Sequence, residues 1–267
     1  MQDVPSQLLS NEEVAEDFYL ARLHNPAVAA SATPGQFLQI RVMEELSPFL
    51  RIPLSISGVD PAAGSVEILY EAMGPKSEAL TRARSGDLLS CLGPLGRGFY
   101  SPLLGRLILV GGGIGVPPLL YLGHQARSAG CDVRLLVGAR TAGKLLPPDL
   151  LDPAAGQVRV ATDDGSLGHA GMVTDLLVRE LDFSSECAVF TCGPYGMMAR
   201  VAAICREFDV ACEVSMEEYM ACGFGVCVGC VVEVKPGADR SDYAKYSRVC
   251  VDGPVFDARH VVWVSHD

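Results

Sequence analysis

Four cysteines constrain this chain more than any other feature. The stretch Ala221-Cys-Gly-Phe-Gly-Val-Cys-Val-Gly-Cys230 places Cys222, Cys227 and Cys230 in the spacing C-x4-C-x2-C, and Cys250 follows across a short β-like segment. Three thiols in so few residues cannot share one helix face or alternate on one strand. They need a loop that wraps a small centre, and Gly223, Gly225 and Gly229 give the backbone that freedom. The same glycines leave backbone N–H groups unobstructed, and hydrogen bonds from such groups to sulfur tune the potential of a cluster. The spacing is that of plant-type [2Fe–2S] ligation.

Three plainer explanations account for less. Structural zinc sites more often pair their cysteines as two C-x2-4-C knuckles. Disulfides suit exported chains, and the N-terminus, Met1-Gln-Asp-Val-Pro-Ser through Glu12, Glu13, Glu16 and Asp17, shows neither a basic n-region nor an apolar h-region. Buried free thiols explain single cysteines, not four in this array. Ten cysteines without an export signal therefore predict a cytoplasmic chain that uses some of them for metal or redox work. The longest apolar run, Leu107 to Leu122, is broken by Gly111, Gly112, Gly113, Gly115, Pro117 and Pro118, so it is no membrane span. A net charge of −11 argues against nucleic acid as a partner.

At 267 residues the chain is long for one domain and sufficient for two with an appendage. From Phe18 to about Gly98 it reads as short strands, Phe18 to Leu23, Gln36 to Val42 and Ser65 to Tyr70, with period-two alternation clearest in the second. Pro34-Gly35, Pro61 with Gly64, and Ser85-Gly86-Asp87 are the turns. Several short strands at regular spacing predict a small antiparallel barrel.

The middle third alternates differently. Leu107-Ile-Leu-Val110 is a strand of the fully buried type that runs into Gly111, Gly112, Gly113, Ile114 and Gly115, then a helix from Leu119 to Ser128. Strand, glycine loop and helix together place a pyrophosphate against backbone N–H groups. Strands follow at Cys131 to Val137, Val158 to Thr162 and Ala188 to Thr191, with helices over Gly171 to Glu180 and Tyr195 to about Phe208. Such alternation predicts a parallel sheet. The loop is not G-x-G-x-x-G, and the next strand ends Gly138-Ala139-Arg140 with no carboxylate for a ribose hydroxyl, which argues against a dehydrogenase of the usual Rossmann kind. Arg140 either reads a 2′-phosphate or is a solvated cation, and Cys192 either faces a nicotinamide or is a buried thiol. The five histidines have no ligand or triad spacing.

The order of these stretches resembles the ferredoxin-reductase-like flavoproteins. Pro34-Gly35-Gln36-Phe37, Arg51-Ile52-Pro53-Leu54-Ser55, Gly74-Pro-Lys76-Ser77 and Gly93 to Phe99 fall in that family's sequence, as do the glycine loop and the turn Cys192, Gly193 and Pro194. The resemblance implies FAD on Pro53, Leu54 and Ser55, on Leu69, Tyr70 and Glu71, and on Lys76 and Ser77, and NAD on the glycine loop and the Cys-Gly-Pro turn. Two departures stand out: Ile52 occupies the family's arginine position, with Arg51 one step earlier, and a G-x-G-T stretch reads Gly-Pro-Lys-Ser. Either Arg51 or Lys76 then supplies the cation for the FAD phosphates.

With the stretch from Glu218 to Cys230, which contains C-G-x-G-x-C-x-G-C, the whole chain looks like the electron-transfer subunits of type B dihydroorotate dehydrogenases. That resemblance implies three units: an FAD-binding β-barrel over residues 1–102, an NAD-binding α/β domain over 103–212 and a small [2Fe–2S] domain over 213–267. It implies Cys222, Cys227, Cys230 and Cys250 as ligands, an FMN-bearing catalytic subunit as partner in a heterotetramer, and a place in pyrimidine synthesis. Two other readings are open. One is an NAD(P)H–flavin–[2Fe–2S] subunit of a sulfide dehydrogenase, a bifurcating ferredoxin–NADP enzyme or a hydrogenase; the other is a redox-sensing module without enzyme activity.

Overall fold

The computed structural model describes residues 2–42, 49–101, 105–181, 187–237, 243 and 245–264. Its first part holds β1 (Gln2–Ala15), β2 (Phe18–His24), α1 (Pro26–Ser31), β3 (Phe37–Arg41), β4 (Ile52–Asp60), β5 (Ser65–Glu71), α2 (Pro75–Leu80) and β6 (Leu88–Leu95). The strands close a barrel in the order β1-β2-β5-β4-β3-β6, antiparallel throughout. Alternation decides which side chains fill it: Leu38 and Ile40 of β3, Val66, Ile68 and Tyr70 of β5, and Leu89 and Cys91 of β6 point inward and are buried together. The three anticipated strands lie within a residue of β2, β3 and β5. Gly35, Gly64 and Gly86 sit at the anticipated turns with positive φ. Strands β1, β4 and β6 were not anticipated.

The second part holds β7 (Arg106–Gly112), α3 (Pro117–Ser128), β8 (Asp132–Ala139), α4 (Pro148–Leu151), β9 (Gln157–Thr162), β10 (His169–Ala170), α5 (Val173–Leu181), β11 (Cys187–Cys192), α6 (Tyr195–Glu207) and β12 (Ala211–Ser215). The sheet order is β10-β9-β8-β7-β11-β12, all parallel. Both faces are covered, so the central strand is apolar at every position: Leu107 and Leu109 pack with α3, and Ile108 and Val110 with α5 and α6. Strand β7 continues through Gly111 and Gly112, and the helix begins at Pro117, two residues before the expected Leu119, because proline at a first helical turn forfeits no hydrogen bond.

The chain then makes a hairpin, β13 (Val231–Glu233) and β14 (Tyr246–Arg248), and returns as β15 (Val255–Asp257) antiparallel to β12. The expected break between residues 212 and 213 therefore falls inside β12, and β15 gives the sheet a seventh strand from beyond the cysteines. The break between 102 and 103 and the polar segment at 239–242 lie outside the described residues. Glu213, buried in β12, accepts the backbone N–H groups of Tyr100 and Ser101 at 3.1 and 2.7 Å, tying the end of the barrel to the sheet. Among the described residues no helix is long and apolar enough to cross a membrane.

Candidate functional site

Where barrel, sheet and cysteine segment meet, a cleft of about 460 Å³ opens. The barrel supplies Ile52, Pro53, Leu54 and Ser55 from β4, Leu69, Tyr70 and Glu71 from β5, and Lys76 and Ser77 from α2. The sheet unit supplies Ile114 and Pro117, and the chain after β12 supplies Glu217, Glu218, Tyr219 and Met220. One wall thus unites every barrel residue predicted for FAD except Arg51 and Gly74. The first residues of β4 are only half-buried although they belong to a closed barrel, because their outer face is turned to the cleft.

Arg51, one of the two cations expected at the FAD phosphates, lies outside this wall. Its guanidinium is consumed within the barrel, bonded to the carbonyls of Gln39 and Ser90, the Ser90 hydroxyl and the Asp3 carboxylate. Lys76 lines the cleft instead, its ammonium donating to the Arg51 carbonyl at 3.0 Å, and burial lowers its pKa. Gly74 caps α2 while the Ser77 hydroxyl accepts the Met73 and Gly74 N–H groups. Tyr70 keeps its phenol inside the barrel, donating to Asn11 at 3.0 Å, and Glu71 is held by Lys144 at 3.1 Å.

The glycine loop and the Cys-Gly-Pro turn come together at the carboxyl ends of neighbouring parallel strands, where open α/β sheets bind ligands. Cys192 is the register partner of Gly111, and the Thr191 hydroxyl donates to the Val110 carbonyl at 2.8 Å. Gly115 packs directly on the backbone of Gly193, leaving no room for a side chain at 115, while Gly193, with φ +147, is closed in by the backbone of Gly112. Gly112 and Gly113 complete the bend, Gly112 against Pro194. Cys192 is fully buried, and its thiol faces Glu217 at 3.8 Å rather than opening into the cleft. Arg140 is exposed beside Asp164, whose N–H its carbonyl accepts.

Glu217 is a cleft residue that sequence reasoning did not single out. It stands one place before the motif, and a lone carboxylate carries no spacing signal. Burial of the carboxyl raises its pKa to about 7, opposed by the hydrogen bond from the Cys192 thiol, although the residue taken whole is exposed. The charge of Glu217 and above all burial push the Cys192 thiol up.

The cysteines form two contact pairs. The Cys227 N–H points at the Cys222 sulfur at 3.5 Å, and the Cys250 thiol donates to the Cys230 sulfur. Burial opposes ionisation of Cys222, but N–H groups of Cys227, Phe224 and Val226 bring it down to about 7. Contact with Cys250 brings Cys230 down to about 6, aided by the N–H groups of Cys250 and Val249, and pushes Cys250 up in turn. Among the described residues no three His, Cys, Asp or Glu side chains converge as on a single ion. Two thiol pairs ringed by backbone donors instead suit a two-iron cluster, with two thiolates for each iron. Arg248, paired with Asp252 four residues on at 3.1 Å, donates to the Gly225 carbonyl at 3.3 Å and so ties the segment around Cys250 to the loop that begins at Cys222. Cys91, Cys205 and Cys212 are core thiols, and Cys131 and Cys187 are half-buried.

Comparison with known proteins gives this geometry a family. Residues 217–262 match the iron-sulfur cluster binding domain of dihydroorotate dehydrogenase B. The dihydroorotate dehydrogenase B (NAD(+)) electron transfer subunit of Desulforamulus reducens is 37% identical, over 97% of each chain. That of Geobacillus thermodenitrificans is 39% identical over 96% of each. A solved chain of the NADH-dependent reduced ferredoxin-NADP oxidoreductase, from work on flavin-based electron bifurcation, superposes with a TM-score of 0.84 at 29% identity, over 98% of this chain and 91% of that one. A ferredoxin NADP+ reductase from Neisseria gonorrhoeae with bound FAD and NADP shares the fold, with a TM-score of 0.64 at 18% identity over 78% of this chain and 92% of that one. Matched along nearly its whole length, the chain belongs to the family of dihydroorotate dehydrogenase B electron transfer subunits.

Proposed function

We propose that this protein passes electrons between NAD(H) and an FMN-bearing catalytic subunit that oxidises dihydroorotate to orotate, in pyrimidine synthesis. The observation that carries the reading is the shared cleft, where the wall predicted for FAD meets the glycine loop and the segment leading into the cysteines. When bound, FAD exchanges a hydride with nicotinamide and single electrons with a [2Fe–2S] cluster, which joins a two-electron carrier to a one-electron carrier.

The chain's own part is placement and electrostatics. Pro53, Leu54, Ser55 and Leu69 form the wall for the flavin, and Lys76 offsets phosphate charge. Gly111, Gly112, Gly113, Ile114 and Gly115, with Cys192, Gly193 and Pro194, offer backbone to the dinucleotide. Glu217 brings to the cleft lining a carboxyl whose pKa burial raises to about 7, so that it exchanges a proton around neutral pH. Cys222, Cys227, Cys230 and Cys250 hold the cluster, and the exposure of Cys227 with Phe224 and Val226 turns that end of the site outward. We assign residues 1–102 to the barrel unit, 103–216 with β15 to the nucleotide unit, and the intervening segment from 217 to the cluster unit. The assembly is a cytoplasmic heterotetramer built on a dimer of the partner.

Co-purification from the native cell, with an absorbance spectrum and assays of dihydroorotate oxidation with NAD⁺ and NADP⁺, tests this. Flavin and [2Fe–2S] bands, an FMN-bearing partner and orotate formation with NAD⁺ are expected. The same bands with another partner and no orotate would move the protein to the second reading, a subunit like that of the bifurcating oxidoreductase, which the TM-score of 0.84 favours. A colourless, zinc-containing protein would defeat both.

A further inference from the structure

Among the described residues, the buried side-chain polar atoms without a hydrogen-bond partner are three serine hydroxyls and both ends of one amide, Gln39. A serine hydroxyl can rotate toward a neighbour, whereas an amide carries two donors and an acceptor in a fixed plane, so its isolation is the more costly. Gln39 is 0% exposed.

Its position follows from the pleat. Leu38 and Ile40 of β3 point into the barrel, so Phe37 and Gln39 point out of it, beneath the cysteine segment. Phe37 lines the cleft together with Pro53, the register partner of Gln39. Gln39 itself is pressed against the cysteine loop: a side chain at Gly223 would come within 2.6 Å of Gln39 Nε2, and Gly223 has φ +78. The flavin wall and the loop that begins at Cys222 are thus one step apart on one strand face, about 7 Å at the rise of a β-strand. The amide lies in that step.

We propose that Gln39 is a positioning residue of the iron–sulfur site, its Nε2 donating a hydrogen bond to sulfur at the Cys222 side of the cluster. Thiolate and sulfide accept hydrogen bonds and donate none, which matches an amide N–H left without an acceptor in the protein. A donor there stabilises the reduced, more negative cluster more than the oxidised one and so raises its potential. It also fixes the strand that separates cluster from flavin. The inference rests on the cluster reading above.

The test is an EPR-monitored redox titration of the full chain, purified with its partner, beside iron content per chain and the flavin spectrum. Gln39→Met keeps length and removes both polar ends, so it leaves no unpaired polar group at this buried position. The expected result is a lowered cluster potential and shifted g-values at unchanged iron content, with the flavin bands in place. Gln39→Glu, which keeps shape but presents an ionised acceptor to sulfur, should lower the potential further as pH rises, and carries the test if the methionine variant does not fold. Unchanged potential and g-values in these variants, or a shift confined to the flavin, would overturn the assignment. A wild-type protein with no cluster signal would sink the cluster reading itself, and this inference with it, before any variant is made.

Discussion

The guanidinium of Arg51 makes its four bonds inside the barrel wall, between β3, β6 and the N-terminal strand, and is mostly buried there. Lys76, across the mouth of the cleft, has the Arg51 carbonyl as its partner and space in front of it. The two cations therefore respond differently to removal. Lys76→Met should weaken FAD retention about 10- to 100-fold, the equivalent of one charge-assisted hydrogen bond of about 1.5–3 kcal/mol, measured by flavin release. Arg51→Met should lower the thermal midpoint and leave flavin affinity of the folded protein nearly unchanged. Glu217 gives a pH signature. Its pKa is raised from the ordinary carboxyl value of 4.5 to about 7, so the folded state holds a proton that the unfolded chain releases. That contribution to stability is complete below about 4.5 and is lost as pH rises through about 7. Glu217→Gln should flatten this part of the pH dependence of the thermal midpoint; a slope that persists would clear Glu217 of it. Cys227, the most exposed of the four ligand candidates, is tested by Cys227→Ser. The visible cluster absorbance should disappear while NADH still reduces flavin, and a cluster that survived unchanged would remove Cys227 from the ligand set.

At the level of elements, β12 has two roles, as a sheet strand and as the anchor of the barrel's exit. Glu213 accepts two backbone N–H groups of the connection, so Glu213→Ala removes two part-buried, charge-assisted hydrogen bonds and should cost roughly 1–3 kcal/mol, read as a lower denaturant midpoint. Much of this architecture was legible in the sequence because it is local. Buried strands such as Leu107 to Val110 declare themselves by composition, and Gly35, Gly64 and Gly86 mark turns by their backbone needs. Strand β1 was not legible: its polar Ser10, Asn11, Glu12 and Glu13 give no alternation, and the strand is fixed by backbone pairing to β2 and β6 on its two sides. The seventh sheet strand was equally hidden, since three residues after a cysteine loop pair with a strand some forty positions earlier. The same limit governed the site. Cysteine spacing brought out the four proposed ligands, whereas the different surroundings of Arg51 and Lys76, and the places of Gln39 and Glu217, depend on contacts between distant segments.

For the molecule as a whole, the three units share surfaces instead of hanging as beads. Phe37 and Leu95 of the barrel, Val214 and Met216 of the sheet, and Cys230, Val249 and Cys250 of the cysteine segment lie in one core. Lys144, from the loop after β8, reaches Asp17 and Glu71 of the barrel at 2.7 and 3.1 Å. Such partly exposed pairs add little stability, but they fix the approach of the sheet unit to the cleft wall. The return of β15 to β12 has a consequence for biosynthesis. A ribosome has already delivered Cys222, Cys227, Cys230 and Cys250 before Val255, and until Val255 emerges β12 is an open sheet edge, the kind that invites pairing with another chain. Pairing of β15 with β12 closes that edge and also the loop that carries the four proposed ligands, so a cluster held there would favour closure, and cells short of iron or sulfide should accumulate more of the chain as aggregate.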